Sequence, residues 1–96
     1  MNRRYQLSEG TTTIGRADAD YPSDISVEGD DAMSRQSVAI IIEDDGSGGY
    51  DYRLKVLNAT NRVSVNGQRV KQGDETYLEF GDMIQMGKTK FKFDNH

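Results

Sequence analysis

Apolar residues along this chain recur at every second position or gather in short unbroken runs, and the 3.6-residue period of a helix is nearly absent. Val38-Ala39-Ile40-Ile41-Ile42 is the most apolar run and predicts a central strand. From Tyr50 to Leu57, Tyr52, Leu54 and Val56 alternate with Asp51, Arg53 and Lys55, which predicts a strand with one buried face. Lys90-Phe91-Lys92-Phe93 repeats that alternation. Further short β-rich segments are Arg4-Tyr5-Gln6-Leu7, Thr11-Thr12-Thr13-Ile14, Ile25-Ser26-Val27, Val63-Ser64-Val65, Gln68-Arg69-Val70, Thr76-Tyr77-Leu78 and Met83-Ile84-Gln85-Met86.

Turn residues separate these runs. Asp44-Asp45-Gly46-Ser47-Gly48-Gly49 predicts a hairpin connection, and Lys71-Gln72-Gly73-Asp74 and Gly81-Asp82 mark two more turns. Asn66-Gly67 between β-branched residues is the strongest short hairpin signal, because a type I′ turn needs positive φ at both central positions. Between nine and eleven strands at this spacing predict an all-β fold, a sandwich or a barrel. No internal repeat or linker divides the chain, so residues 1–96 are expected to form one domain.

Composition narrows the function classes. At 96 residues and 10.8 kDa the chain suits one domain. A chain of this size buries roughly 60–70% of its unfolded surface, enough to fold without staples. Absence of cysteine removes disulfides, thiolate zinc sites and cysteine nucleophiles. The single histidine, His96, stands last, which disfavours a serine–histidine dyad or a multi-histidine metal site. Twelve basic against sixteen acidic residues leave a net charge of −4, which argues against nonspecific binding to nucleic acid or anionic membranes. No apolar run approaches the ~20 residues of a membrane span. No apolar stretch follows Met1-Asn2-Arg3-Arg4-Tyr5, so no secretory signal is expected there. The expectation is a cytoplasmic, soluble, monomeric domain, either whole or a module of a longer protein.

In a sandwich the strands give rigidity and the loops at one end carry function. Three polar clusters flank predicted strands: Gly15-Arg16, Ser34-Arg35 and Thr60-Asn61. They offer two guanidinium groups, two hydroxyls and a carboxamide, with no general base beside them. Such a donor set suits holding a phosphate rather than breaking a bond. Plainer readings remain open: a strand-end ion pair, a turn hydroxyl, turn residues satisfying backbone groups, hairpin chemistry at Asn66-Gly67, and an exposed cation at Arg62.

Other motifs lead nowhere. Asp18, Asp20, Asp24, Asp30 and Asp31 lack the order of a calcium loop and are expected to form a solvated acidic loop favouring basic peptides. Gly46-Ser47-Gly48-Gly49 lacks the Lys-Ser/Thr of a nucleotide loop. Asn58-Ala59-Thr60 has the spacing of a glycosylation acceptor, with no secretory segment to support its use. No metal site and no cofactor is indicated.

The order Ile14-Gly15-Arg16, Ser34-Arg35, Thr60-Asn61, Val65-Asn66-Gly67 and Gly81-Asp82 resembles the forkhead-associated (FHA) domain from about Tyr5 to Phe93. The resemblance implies an eleven-stranded sandwich that binds phosphothreonine peptides through loops at one end. It assigns phosphate contacts to Arg16, Ser34, Arg35 and Thr60. It gives Asn61 the clamp on the peptide main chain, and Asn66, partly structural in the adjoining hairpin, a second peptide contact. Arg62 would add a cation beside the peptide. The implied partner is a phosphothreonine-bearing protein, with no nucleic acid, membrane or enzymatic reaction.

Two positions depart from the family pattern. Ser37 stands where the family usually has a histidine that braces the binding loops, and the shorter side chain implies a looser Ser34-Arg35 segment. Arg62 stands where glycine usually follows Thr-Asn, and would be strained if that position requires positive φ. An alternative therefore stands beside the first reading: a phospho-independent protein-interaction domain with a degenerate pocket.

Overall fold

A computed structural model describes residues 3–95, so Met1, Asn2 and His96 lie outside the described residues. Nine strands occur: β1 (Gly10–Arg16), β2 (Ile25–Val27), β3 (Val38–Asp44), β4 (Tyr50–Val56), β5 (Val63–Val65), β6 (Gln68–Val70), β7 (Glu75–Tyr77), β8 (Met83–Met86) and β9 (Thr89–Lys92). They form a five-stranded sheet in the order β2-β1-β3-β4-β7 and a four-stranded sheet in the order β6-β5-β8-β9. The all-β sandwich is as expected, with nine strands rather than eleven. Arg4–Leu7 forms no strand. Both edges of β1 are taken, by β2 and β3, so the segment does not pair with the strand that follows it.

β3, the most apolar run, is the central strand of its sheet, with Val38, Ala39, Ile40 and Ile42 all buried. Leu54 and Val56 of β4 face the same core, and Tyr52 is half-buried beside it. Val63, Val65, Val70, Ile84, Met86 and Phe93 close the core from the second sheet side. Sixteen-odd apolar side chains in a 96-residue chain is a modest core, so polar ties between loops contribute a larger share of the order. At the β5–β6 turn, Asn66 has φ 51 and Gly67 φ 82, the pair of positive values that Asn-Gly supplies.

One pairing is not antiparallel. β2 runs parallel to β1, with Ile14 opposite Ile25 and Arg16 opposite Val27. Asp24 secures it: its Oδ2 accepts from the Thr13 N–H at 2.9 Å and the Thr13 hydroxyl at 3.2 Å, and Thr13 Oγ1 accepts the Asp24 N–H at 2.9 Å. Register then decides where the loops meet. Val38 pairs with both Ile14 and Val56, so the end of β1, the start of β3 and the end of β4 lie at one apex. Loops 17–24, 34–37 and 57–62 therefore converge there.

Asp30 departs from the expected solvated acidic loop. It is buried, and its Oδ2 accepts the Thr89 hydroxyl at 2.6 Å and the Lys88 N–H at 2.8 Å, while Oδ1 accepts the Ala32 N–H at 3.0 Å. The carboxylate thus fastens the segment leading to Ser34 onto the β8–β9 turn. Gly87 makes room for it: a Cβ there would stand 2.7 Å from the Met33 amide nitrogen and 2.8 Å from Asp30 Oδ2. Burial pushes the Asp30 pKa up, but the Thr89 hydroxyl and the backbone N–H groups of Lys88 and Ala32 outweigh it and hold the group below its ordinary value.

Ionised Asp30 therefore contributes stability that is complete above the unfolded-state pKa and is lost as pH falls through the folded-state one. Asp30→Asn is expected to lower the unfolding free energy at neutral pH by about 1–3 kcal/mol, since the carboxamide cannot accept all three bonds. Urea titrations between about pH 7 and pH 3 check this: the variant should show a shallower acid loss than the parent chain. Equal slopes would mean that Asp30 is not the group responsible.

Candidate functional site

The apex begins with a glycine. An added Cβ at Gly15 would lie 2.3 Å from the Gln36 amide nitrogen and 2.8 Å from Ser23 Oγ, so only glycine lets loop 34–37 lie against the end of β1. Two backbone bonds use this closeness: the Arg16 N–H donates to the Ser34 carbonyl at 3.0 Å, and the Ser37 N–H to the Ile14 carbonyl at 2.9 Å. Arg16 and Ser34 are therefore direct neighbours although far apart in sequence.

Gln36 takes positive φ (44), unusual for a residue with a side chain and costing roughly 1–3 kcal/mol. Its surroundings hold it there. Gln36 Nε2 donates to the Pro22 carbonyl at 3.1 Å, and Asn58 Nδ2 donates to the Gln36 carbonyl at 3.2 Å and the Arg35 carbonyl at 3.3 Å. Asn58 is thus the brace of the Ser34–Ser37 segment, and its Nδ2 is engaged with protein carbonyls. Ser37 is fully buried, its Oγ donating to the Asn58 carbonyl at 3.3 Å and its backbone carbonyl accepting the Leu57 N–H at 2.8 Å. The looseness expected from Ser37 is not what the bonds show: Asn58 and Ser37 together tie the segment to the β4 exit.

Ser34 and Thr60 meet directly. The Thr60 N–H donates to Ser34 Oγ at 2.9 Å. With its oxygen accepting, the Ser34 hydroxyl directs its own proton elsewhere, and among the described residues nothing receives it. Ser34, Arg35, Gln36, Asn58, Thr60 and Tyr21 line one open hollow of about 310 Å³. The Arg35 guanidinium lies 4.2 Å above the Tyr21 ring, and its Nη1 stands 3.4 Å from Asp18 Oδ2.

The remaining sequence-picked residues distribute unevenly. Arg16 joins the apex through its backbone and does not line the hollow; among the described residues no carboxylate pairs with its guanidinium. Asn61 and Arg62 border a second hollow of about 320 Å³ with Ser64, Gly67, Gln85 and Gly87. Asn61 Nδ2 donates to the Ala32 carbonyl at 2.7 Å, tying the two loops together. Arg62 does not have positive φ, so it carries no backbone strain and stands as an exposed cation. Asn66 borders neither hollow: its Nδ2 donates to Asp82 Oδ1 at 2.9 Å and its Oδ1 accepts the Met83 N–H at 2.9 Å, which is hairpin work.

Sequence reasoning missed Asp18, Tyr21, Asn58 and Asp30. Only Asn58 carried a usable signal, its place beside the Thr60-Asn61 cluster, and glycosylation spacing drew the attention instead. A ring under Arg35 has no signature along the chain. Among the described residues no group of side chains could hold a metal ion. The apex gathers the Ser34 hydroxyl and the Arg35 guanidinium at one hollow, with the Asp18 carboxylate beside Arg35, a donor set whose chemistry suits an anion.

Comparison with known proteins bears on the family and the fold. The FHA domain family profile matches residues 12–87. The FhaA FHA domain, solved in complex with the intracellular domain of Rv3910, is 33% identical, with a TM-score of 0.70 over 92% of this chain and 84% of that one. An FHA domain from a structural and functional analysis of phosphothreonine-dependent FHA domain interactions is 32% identical, with a TM-score of 0.76 over 98% of this chain and 85% of that one. The FHA domain of CT664 from Chlamydia trachomatis is 26% identical, with a TM-score of 0.78 over 96% of this chain and 84% of that one. No curated protein sequence matches the chain.

Gly15→Ala is expected to lower stability by about 1–3 kcal/mol, the usual range for forcing a methyl into a filled space. It should also push loop 34–37 off the end of β1. Amide resonances of Ser34, Gln36 and Thr60 should shift strongly while those of β8 and β9 stay in place. Unchanged Ser34 and Thr60 signals would show that the close approach does not order the apex.

Proposed function

This chain belongs to the FHA domain family, whose members are interaction modules rather than enzymes, and from that premise we propose that its apex binds a phosphothreonine-bearing protein segment. The observation that carries this reading is the Ser34–Thr60 bond at 2.9 Å, which leaves the Ser34 proton free at the floor of a hollow that Arg35 also lines. A phosphothreonine brings about −1.5 to −2 charges and three acceptor oxygens. Ser34 would donate from its hydroxyl, Arg35 from its planar fork, and Arg16 from a guanidinium that no carboxylate of the described residues neutralises. Thr60 would complete the pocket. Asn61, fixed through Nδ2 to Ala32, keeps its Oδ1 for the peptide main chain, and Arg62 would stand beside the peptide.

The similar FHA domains support the reading. One, at 32% identity, comes from an analysis of phosphothreonine-dependent FHA domain interactions, and another, at 33%, is complexed with the intracellular domain of a second protein. Charge-assisted bonds contribute roughly 1.5–3 kcal/mol each, and ordering a flexible peptide offsets several kcal/mol. The balance points to an affinity of about micromolar.

Calorimetric titration with phosphorylated and unphosphorylated forms of one peptide library tests the reading. Binding should require the phosphate, and Ser34→Ala or Arg16→Ala should weaken it by about tenfold or more, as expected for loss of a charge-assisted bond. Raising ionic strength from about 0.1 M to 1 M shortens the Debye length from about 10 Å to 3 Å and should weaken it further. Phosphoserine in place of phosphothreonine should cost about tenfold if a niche holds the methyl group. A partner bound equally well after phosphatase treatment, and by Arg16→Ala, would establish the phospho-independent reading in its place.

A further inference from the structure

We propose that Asp18 is this site's own stand-in for a ligand phosphate: its carboxylate faces the Arg35 guanidinium, and an incoming phosphoryl group takes that place. The inference rests on the phosphopeptide reading above and adds the residue that sets how strongly the site holds an anion.

The two carboxylate oxygens of Asp18 have separate tasks. Oδ1 accepts the Asp20 N–H at 2.8 Å and the Tyr21 N–H at 3.2 Å, so it shapes the loop after β1 and places the Tyr21 ring. Oδ2 faces Arg35 Nη1 at 3.4 Å. That second contact is long for a charge-assisted bond, and 44% of the Arg35 side chain remains open to solvent. It is a contact that can be exchanged. The Asp20 N–H first, and the Tyr21 N–H and Arg35 with it, outweigh burial and hold the Asp18 carboxyl below its usual range, so Asp18 stays charged at neutral pH.

Tyr21 makes the exchange orderly. Its ring lies 4.2 Å below the guanidinium, so Arg35 keeps a platform when the carboxylate leaves. Arg35 and Tyr21 line the same hollow as Ser34 and Thr60, so the guanidinium that Asp18 holds is the one a bound phosphoryl group would meet. The outcome depends on ligand charge. A carboxylate from a glutamate-bearing peptide would swap one monoanion for another, with little net gain. A phosphoryl group near −2 gains the difference. Asp18 therefore lowers the affinity for every anion by a common factor, and the more highly charged ones keep the greater affinity.

The test is titration of the full chain with one peptide in three forms: phosphothreonine, threonine and glutamate at that position. Asp18→Asn removes the charge and keeps an oxygen for the Asp20 and Tyr21 N–H groups, so the loop should hold; an unchanged melting temperature checks that. The variant should bind the phosphothreonine and glutamate forms more tightly by a common factor of about two to five, the scale of an exposed ion pair. In an Arg35→Ala background the same substitution should give no such gain. Weaker or unchanged binding by Asp18→Asn would overturn the inference. So would an equal gain with Arg35→Ala, which would reflect only the change in net charge from −4 to −3 on losing one acidic group. If the parent chain does not prefer the phosphorylated form over threonine, the phosphopeptide reading itself fails. If it does, and Asp18→Asn tightens nothing, only the role of Asp18 falls.

Discussion

The apex rests on the space that Gly15 leaves empty. With no side chain there, the backbone of Gln36 lies closer to β1 than any Cβ would allow. Two backbone bonds, Arg16 to Ser34 and Ser37 to Ile14, then join loop 34–37 to the strand end. Asn58 and Thr60 reach the same loop from the β4 exit, one through its carboxamide and the other through its amide N–H. Each later contact presupposes the first. The positive φ of Gln36 is an expense that these surrounding bonds sustain, and such strain tends to gather where a fold presents a site.

A second fastening works from the other side. Asp30 is buried, ionised and bonded to Ala32, Lys88 and Thr89, so the segment before Ser34 is anchored to the β8–β9 turn of the opposite sheet. Ser34 thus lies between two anchors, one on each sheet. A chain with a modest apolar core gains order from polar groups when each is fully satisfied, and Asp30 meets that condition. Preorganised donors matter for binding because loops that are already ordered lose less freedom when the ligand arrives.

Charge at the apex is arranged against the balance of the chain. The molecule carries −4, yet the proposed phosphate site offers Arg16 and Arg35, and Arg62 stands beside it. Among the described residues Arg35 is the one of these three that a carboxylate meets, and its partner Asp18 belongs to a loop held by its own Asx turn. The acidic loop after β1 is therefore not a uniform solvated face. Asp24 secures a strand pairing, Asp18 faces Arg35 and Asp30 lies inside.

Periodicity alone determined the strand menu. Val38–Ile42 announced a central strand because β-branched residues in a short apolar run fit a pleated, buried surface. Tyr52, Leu54 and Val56 announced an inner face because successive side chains of a strand point to opposite sides. Asn66-Gly67 announced its hairpin because few other residues accept two positive φ values in succession. The donor types at Arg16, Ser34, Arg35 and Thr60 were legible too, by their places beside predicted strand ends. Their arrangement was not. That β2 runs parallel to β1, that Asp30 is interior rather than solvated, that Asn58 braces the loop and that Tyr21 lies beneath Arg35 all follow from contacts between residues distant along the chain. Such contacts depend on which loops the register brings to one end, and register is a property of the paired sheet, not of any one segment.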